Sequence, residues 1–239
     1  MEAWKYFVGV IFPYIAAAVF VIGIAYRIRI WLKLPAPPMT LFPAPPDEKA
    51  NLKNTVKEAF LFRSLRRGDP VLWAIAWAFH VVLALILLGH LRVFFNVDRL
   101  FLALGMTEDQ IQAMSGSVGG VAGAVILATA VMLLLRRAIV PRARQVTGWG
   151  DCAILLLIGA IIVTGNMMRF GAEHFDLQAT RAYFAALASF RGATQAAVLE
   201  NGLFLLHMSM ALVLIALMPF SKLLHFGGIF FTHQMIRKH

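Results

Sequence analysis

The chain has 239 residues, 60% of them hydrophobic against the roughly 45–50% of a soluble domain and 14% charged against about 25%, which excludes an ordinary water-soluble globule. The formal net charge of +10 points first to topology, because membrane proteins gather Lys and Arg in cytoplasmic loops, and it implies no nucleic-acid partner. Cys152 is the only cysteine, so this chain alone builds no intramolecular disulfide, no Cys-x-x-Cys-His haem attachment and no cysteine-ligated iron–sulfur cluster.

Five segments match the roughly 20 apolar residues that a helix needs to cross a hydrocarbon core: Phe7 to Tyr26, Val71 to Phe95, Gly116 to Leu135, Asp151 to Met168 and Asn201 to Phe220. The first is followed by Arg27, Arg29 and Lys33 without a small-residue cleavage site, so it is expected to be a retained span and not a secretory signal. The loop over 34–70 begins with Pro35, Pro37, Pro38, Pro43, Pro45 and Pro46, an extended and poorly helical stretch. It continues as a polar run, Asp47 to Asp69, in which Val56, Phe60 and Leu61 can line one face of a short surface helix. That segment is either a partner-docking surface or a solvated linker. Between the fourth and fifth spans, Asp176 to Leu199 is rich in Ala and Phe and predicts one or two helices across the outer mouth of a bundle.

Alternating the connections places nine, four and three Lys/Arg residues (Arg27 to Arg67, Arg136 to Arg144, Lys222 to Lys238) on one side, against six on the other (Lys5, Arg92, Arg99, Arg169, Arg181, Arg191). The expected fold class is therefore all-α. One domain over residues 1–239 forms an integral bundle of five transmembrane helices in the cell membrane, with the N-terminus outside and the C-terminus cytoplasmic.

Of seven histidines, His80 and His90 lie in the second span, His207 in the fifth and His225 just beyond it. Ionisable side chains inside a bilayer are costly and usually functional. Depth sets the pairing. The second span runs outward, so His90 lies about 15 Å further out than His80, while the fifth runs inward, with His207 near its outer start and His225 past Pro219 at its inner end. The pairs at matching depth are His80 with His225 and His90 with His207. Eighteen residues are five whole helical turns, so His207 and His225 share a face if the helix runs on regularly, whereas His80 and His90 stand about 80° apart.

Two stacked bis-imidazole sites without Cys, Asp or Glu in mid-span suit b-type haem better than zinc or copper, which would call for further ligands at the same depth. Gly89, and Gly116, Gly119, Gly120 and Gly123 in the third span, would let a macrocycle or another helix approach closely. Cationic partners for haem propionates are Arg92 and Arg169 outside and Arg136, Arg137, Arg142 and Arg144 inside, though each also fits a topological or snorkelling role. His174, beside Glu173 and Asp176, is either a solvated loop residue or a proton acceptor; His233 and His239 also lie outside the spans.

The chain resembles the γ subunit of respiratory nitrate reductase, a di-haem cytochrome b anchor, and the related cytochromes of sulfate- and sulfur-metabolising prokaryotes. The resemblance lies in FPYIAAAVFVIGIAYR (Phe12 to Arg27), FH followed by GH (Phe79 to His90), GSVGGVAGAV and LLLRRAIVPRARQVTGWGD between Gly116 and Asp151, and LHMSMALVLIALMPFSKLLHFGG (Leu206 to Gly228). It implies two haems b, the outer held by His90 and His207 and the inner by His80 and His225, with a quinol site near Gly89 and His90. It also implies electron transfer between the quinol pool and a cytoplasmic iron–sulfur subunit. Where nitrate reductase γ subunits usually carry a lysine between the second and third spans, Thr107 to Met114 offers Glu108, Asp109, Gln110 and Gln112, which leaves menaquinone or ubiquinone, and either direction of electron flow, open. The Pro-rich loop and the KLLHFGGIFFT ending are more similar to cytochromes paired with heterodisulfide-reductase-like subunits. Two other readings compete: a haem-free proton-conducting transport protein, which would favour acids deep in the spans, and a membrane anchor, which would need no paired histidines.

Overall fold

The computed structural model describes residues 2–33, 48–171, 176–192 and 197–225, with only the backbone of residues 48–52. The Pro-rich stretch from Pro35 to Pro46, Glu173, His174, His233 and His239 lie outside the described residues. Among those described, every regular element is helical. In chain order these are α1 (Ala3–Lys33), α2 (Glu48–Leu61), α3 (Arg63–Gly68), α4 (Pro70–Phe94), α5 (Asp98–Ala103), α6 (Glu108–Ile139), α7 (Pro141–Gln145), α8 (Trp149–Phe170), α9 (Leu177–Ala188) and α10 (Gly202–Leu217).

Among the described residues, five helices are long and apolar enough to cross a membrane: α1, α4, α6, α8 and the stretch Gly202–Phe220 that contains α10. Their outward faces are apolar. Leu85, Leu87 and Leu88 on α4 are 49%, 59% and 60% exposed, a pattern that would be prohibitive in water and is ordinary against lipid tails. α6 begins a full two turns before the apolar segment because Thr107 and Gln110 close a capping box. Thr107 Oγ1 accepts from the Gln110 backbone (3.3 Å) and Gln110 Oε1 from the Thr107 backbone (2.9 Å), with Glu108 and Asp109 in the dipole-favoured first turn. Of the four polar residues in the stretch where a lysine is usual, Gln110 therefore starts a helix.

The chain divides into two compact units, Met1–Ile15 with Ala78–Leu214 and Ala16–Trp77 with Ile215–His239. In the first, α9 and a 3-10 turn (Ala197–Glu200) pack on α10, burying Tyr183, Leu187, Leu199, Phe204, Leu205 and Met208 in one cluster. Among the described residues, the expected one or two helices between the fourth and fifth spans are one helix and one 3-10 turn. Tyr183 is sealed there, its hydroxyl donating to the Gly9 carbonyl (2.6 Å) in a π-helical turn of α1, and burial pushes the phenol up well above its usual range. A Cβ on Gly9 would meet Leu199 Cδ2 at 2.5 Å, so the Leu199 side chain lies directly on the α1 backbone there. A second cluster, Phe79, Ile126 and Ala130 with Ile158 and Ile162 against it, joins α4, α6 and α8.

Three of the four glycines of α6 lie against α8. Asn166 Nδ2 of α8 donates to the Gly123 carbonyl (2.9 Å), Phe170 lies against Gly120, and the Arg169 guanidinium lies over Gly119 while donating to the Ser115 carbonyl (3.1 Å). As residue numbers rise on α8 they fall on α6, so the pair is antiparallel. Gly119, Gly120 and Gly123 thus each receive a side chain of α8, whereas a Cβ on Gly116 would meet nothing within 4 Å.

In the second unit, Trp73 and Trp77 of α4 donate their indole N–H groups to the carbonyls of Leu61 (2.8 Å) and Phe60 (3.1 Å), pinning the C-terminus of α2, and Arg66 lies over the Trp73 ring. The surface helix is present, but Phe60 is 72% exposed and Thr55 is the buried residue of its inner face. Gly23 of α1 lies against Pro219, where a Cβ would stand 2.7 Å from the ring, and Arg27 Nε donates to the Pro219 carbonyl (2.8 Å), one of the acceptors freed where the last span stops being α-helical. Proline is rigid, so the contact cannot relax by a rotamer change. Gly23→Val is expected to destabilise the folded protein by about 1–3 kcal/mol through overpacking, read as a lower thermal midpoint in detergent; a midpoint at or above wild type would contradict the contact.

Candidate functional site

α4 and α10 each bring one histidine of the first unit to the same place. The rings of His90 and His207 are nearly parallel, 10° apart, with centroids separated by 6.5 Å. That distance is too long for stacking contact. It suits coordination, because two metal–imidazole bonds of about 2 Å plus the half-width of each ring put the centroids of opposed ligands roughly 6 Å apart.

Hydrogen bonding determines which nitrogen each ring presents. His90 Nδ1 is 2.7 Å from the Ile86 carbonyl one turn earlier, and a carbonyl only accepts, so Nδ1 carries the proton and Nε2 the lone pair. His207 Nδ1 is 3.0 Å from Thr164 Oγ1 of α8. His225, in the second unit, repeats the pattern with Nδ1 2.9 Å from the Lys222 carbonyl. An imidazole whose Nδ1 is held by oxygen while Nε2 is left for a metal is the usual arrangement around ligating histidines. Among the described residues, no group of three or more His, Cys, Asp or Glu gathers to hold an ion, so the donor set at His90 and His207 is two imidazoles, which fits axial ligation of a haem better than a tetrahedral metal.

Gly89 is exposed and a Cβ there would meet nothing within 4 Å, leaving open space beside His90. Arg92, in the last turn of α4, is half-buried and donates through Nε to Asp98 Oδ1 (2.8 Å). Arg181 of α9 closes the cluster, donating to Asp98 Oδ2 (2.8 Å) and to the Arg92 carbonyl (2.5 Å). Burial of Asp98 alone would raise its carboxyl, but the hydrogen bonds and charges of Arg92 and Arg181 outweigh it and hold the group below the usual carboxylate range.

The remaining site candidates are more dispersed. His80 is half-buried on α4 with its ring edge-on to Phe79 (5.5 Å). Ten residues of continuous helix put it about 15 Å along the axis from His90, as expected. The five-turn relation between His207 and His225 does not hold. α10 ends at Leu217, Met218–Phe220 is a 3-10 turn containing Pro219, and Ser221 is extended (φ −118°, ψ 171°) before the turn Lys222–Leu224 that leads to His225. Proline has no N–H to donate and its ring collides with the carbonyl four residues back, so the regular helix stops there. His80 and His225 fall in different compact units. Arg137 lies in the last turn of α6 and Arg144 in the last turn of α7, where cations also complement the helix dipole.

Sequence reasoning missed Thr164, Asp98 and Arg181. A polar residue in an apolar span, four residues after Ala160, is the signal that could have flagged Thr164. Asp98 carried one too, as an acid just beyond a span that ends in Arg92.

These helices and this histidine pair define a class: an all-α protein whose described residues hold five potential membrane spans, with a close pair of imidazole rings between two of them. The chain belongs to the nitrate reductase gamma subunit family, whose description matches residues 66–237. It is 33% identical to the "Hdr-like menaquinol oxidoreductase cytochrome b-like subunit" of Archaeoglobus fulgidus, over 94% of this chain and 77% of that protein. The counterpart of Archaeoglobus profundus is 29% identical over 92% and 75%. The "Respiratory nitrate reductase 1 gamma chain" of Escherichia coli is 31% identical over 49% of this chain and 55% of its own length.

Proposed function

We propose that this chain is the di-haem cytochrome b subunit of a membrane-bound oxidoreductase, exchanging electrons between a menaquinol pool and a cytoplasmic iron–sulfur partner. The single observation that carries this reading is the His90–His207 pair, parallel at 6.5 Å with the Nδ1 of each ring tied to an oxygen. Haem b, when bound, supplies reversible one-electron chemistry. The chain's own part is to hold and insulate it. His90 and His207 are the ligands of the outer haem, and His80 and His225 those of the inner. The apolar faces of the spans keep water and counter-ions away.

The menaquinol assignment, in preference to ubiquinol, and a heterodisulfide-reductase-like partner rest on the names of the two Archaeoglobus relatives. The quinol head is placed beside His90, where Gly89 leaves room. Arg92 would meet an outer propionate through its terminal nitrogens while Nε stays on Asp98, and Arg137 and Arg144 would serve the inner one. The sixteen-to-six distribution of cations puts the N-terminus outside and the C-terminus in the cytoplasm of the cell membrane, with residues 1–239 acting as one functional domain. Quinol oxidation at the outer face would then release protons outside as electrons move inward, an electrogenic step. The α2 surface, pinned by Trp73 and Trp77, is the partner-docking segment.

The test is a reduced-minus-oxidised spectrum with a pyridine haemochrome assay on the purified complex. About two non-covalent haems b per chain are expected. None at all would overturn the reading and leave an anchor or a transport subunit.

A further inference from the structure

We propose that Thr164 is a positioning residue for His207, fixing through its hydroxyl which imidazole nitrogen stays unprotonated; the inference rests on the haem reading above. Thr164 is a buried residue of α8, 7% exposed, and belongs to neither of the two helices that carry the paired histidines. Its Oγ1 lies 2.9 Å from the Ala160 carbonyl, 3.1 Å from the Ile161 carbonyl and 3.0 Å from His207 Nδ1.

A hydroxyl has one proton. Carbonyls cannot donate, so the Thr164 proton goes to its own helix, one turn back, and its lone pairs face the imidazole. His207 Nδ1–H is then the donor and Nε2 is the nitrogen left unprotonated. The opposite tautomer would put a proton on Nε2 and end its capacity to ligate. His90 reaches the same state with a carbonyl of its own helix, but His207 depends on a neighbouring helix. The ring is hemmed in as well: a Cβ on Gly165 would stand 3.2 Å from His207 Cε1, so α8 sets both the tautomer and the tilt of this ligand.

A Thr hydroxyl accepting from Nδ1–H makes the imidazole a stronger electron donor, which favours the ferric state. Removing the hydroxyl should therefore raise the midpoint potential of one haem only. The experiment is an optical redox titration, with low-temperature electron paramagnetic resonance, of the purified complex carrying wild type, Thr164→Val, Thr164→Ala and Thr164→Ser. Val and Ala are expected to raise the reduced-to-oxidised ratio of one haem at fixed poise by up to about tenfold, about 59 mV for one electron, and to shift that haem's low-spin ferric signal, while Ser matches wild type. Ala removes the same hydroxyl with less volume, so it reports even if Val prevents assembly. Unchanged potentials and signals in both would overturn the proposal, as would Ser behaving like Val, which would assign the effect to the methyl group. A wild-type complex without haem would instead overturn the haem reading on which the proposal stands.

Discussion

His207→Ala is expected to reduce the haem b content of the purified complex from about two per chain to about one, and to do so without loss of the assembled complex. The truncation leaves the His90 imidazole alone where two rings stood with centroids 6.5 Å apart, and no third His, Cys, Asp or Glu among the described residues is grouped there to take its place. The truncation also removes part of the filling between α8 and α10, where Gly165 and Thr164 face the ring. That cavity costs stability on the order of 2–4 kcal/mol if nothing collapses into it, so gel filtration must accompany the haem assay. His80→Ala, on the same helix as His90 but about 15 Å away, should remove the other haem and leave the first. Full retention of both haems in His207→Ala would show that His90 and His207 do not form the ligand pair.

Asp98→Ala is expected to lower stability by about 2–3 kcal/mol, between the 0.2–1 kcal/mol of an exposed ion pair and the 3–5 kcal/mol of breaking a fully buried one. The cluster sits between those limits because its three side chains retain about a fifth of their surface, 17% for Arg92, 19% for Asp98 and 24% for Arg181. Removing the carboxylate leaves two guanidinium groups facing each other at the junction of α4, α5 and α9.

The same cluster makes a pH prediction. Asp98 is held below the unfolded carboxylate value of about 3.9, so its contribution is fully present above that value and is lost as pH falls through the folded-state one. The difference in thermal midpoint between wild type and Asp98→Asn should therefore be constant from neutral pH down to about 5 and shrink below about 4. A difference that grows on acidification would reverse the assigned sign.

The parts of the fold that hydropathy governs were legible from composition, because lipid imposes a minimum length on every span and forbids unsatisfied backbone within it. Boundaries were less so. α6 starts at Glu108 on the strength of a capping box between Thr107 and Gln110, and a hydropathy window does not register side-chain hydrogen bonds. The pairing of His90 with His207 followed from depth alone, since antiparallel spans meet only at equal heights. Depth alone did not fix the face of His225, because the regular helix it would need ends before Pro219, whose missing N–H breaks it.

What the amino-acid order determined by itself is the set of five apolar spans and the placing of four histidines within or just beside two of them, because both depend only on residue type and on a rise of about 1.5 Å per residue. What only the tertiary structure decided is how the His207 ring and the Asp98 carboxylate are held. Thr164 on α8 meets His207 on α10, and Arg181 on α9 meets Asp98 beyond α4, across separations of 43 and 83 residues. Such contacts depend on which faces of neighbouring helices interlock, and packing of small residues such as Gly123 against Asn166 sets that interlocking, which no periodicity along one helix encodes.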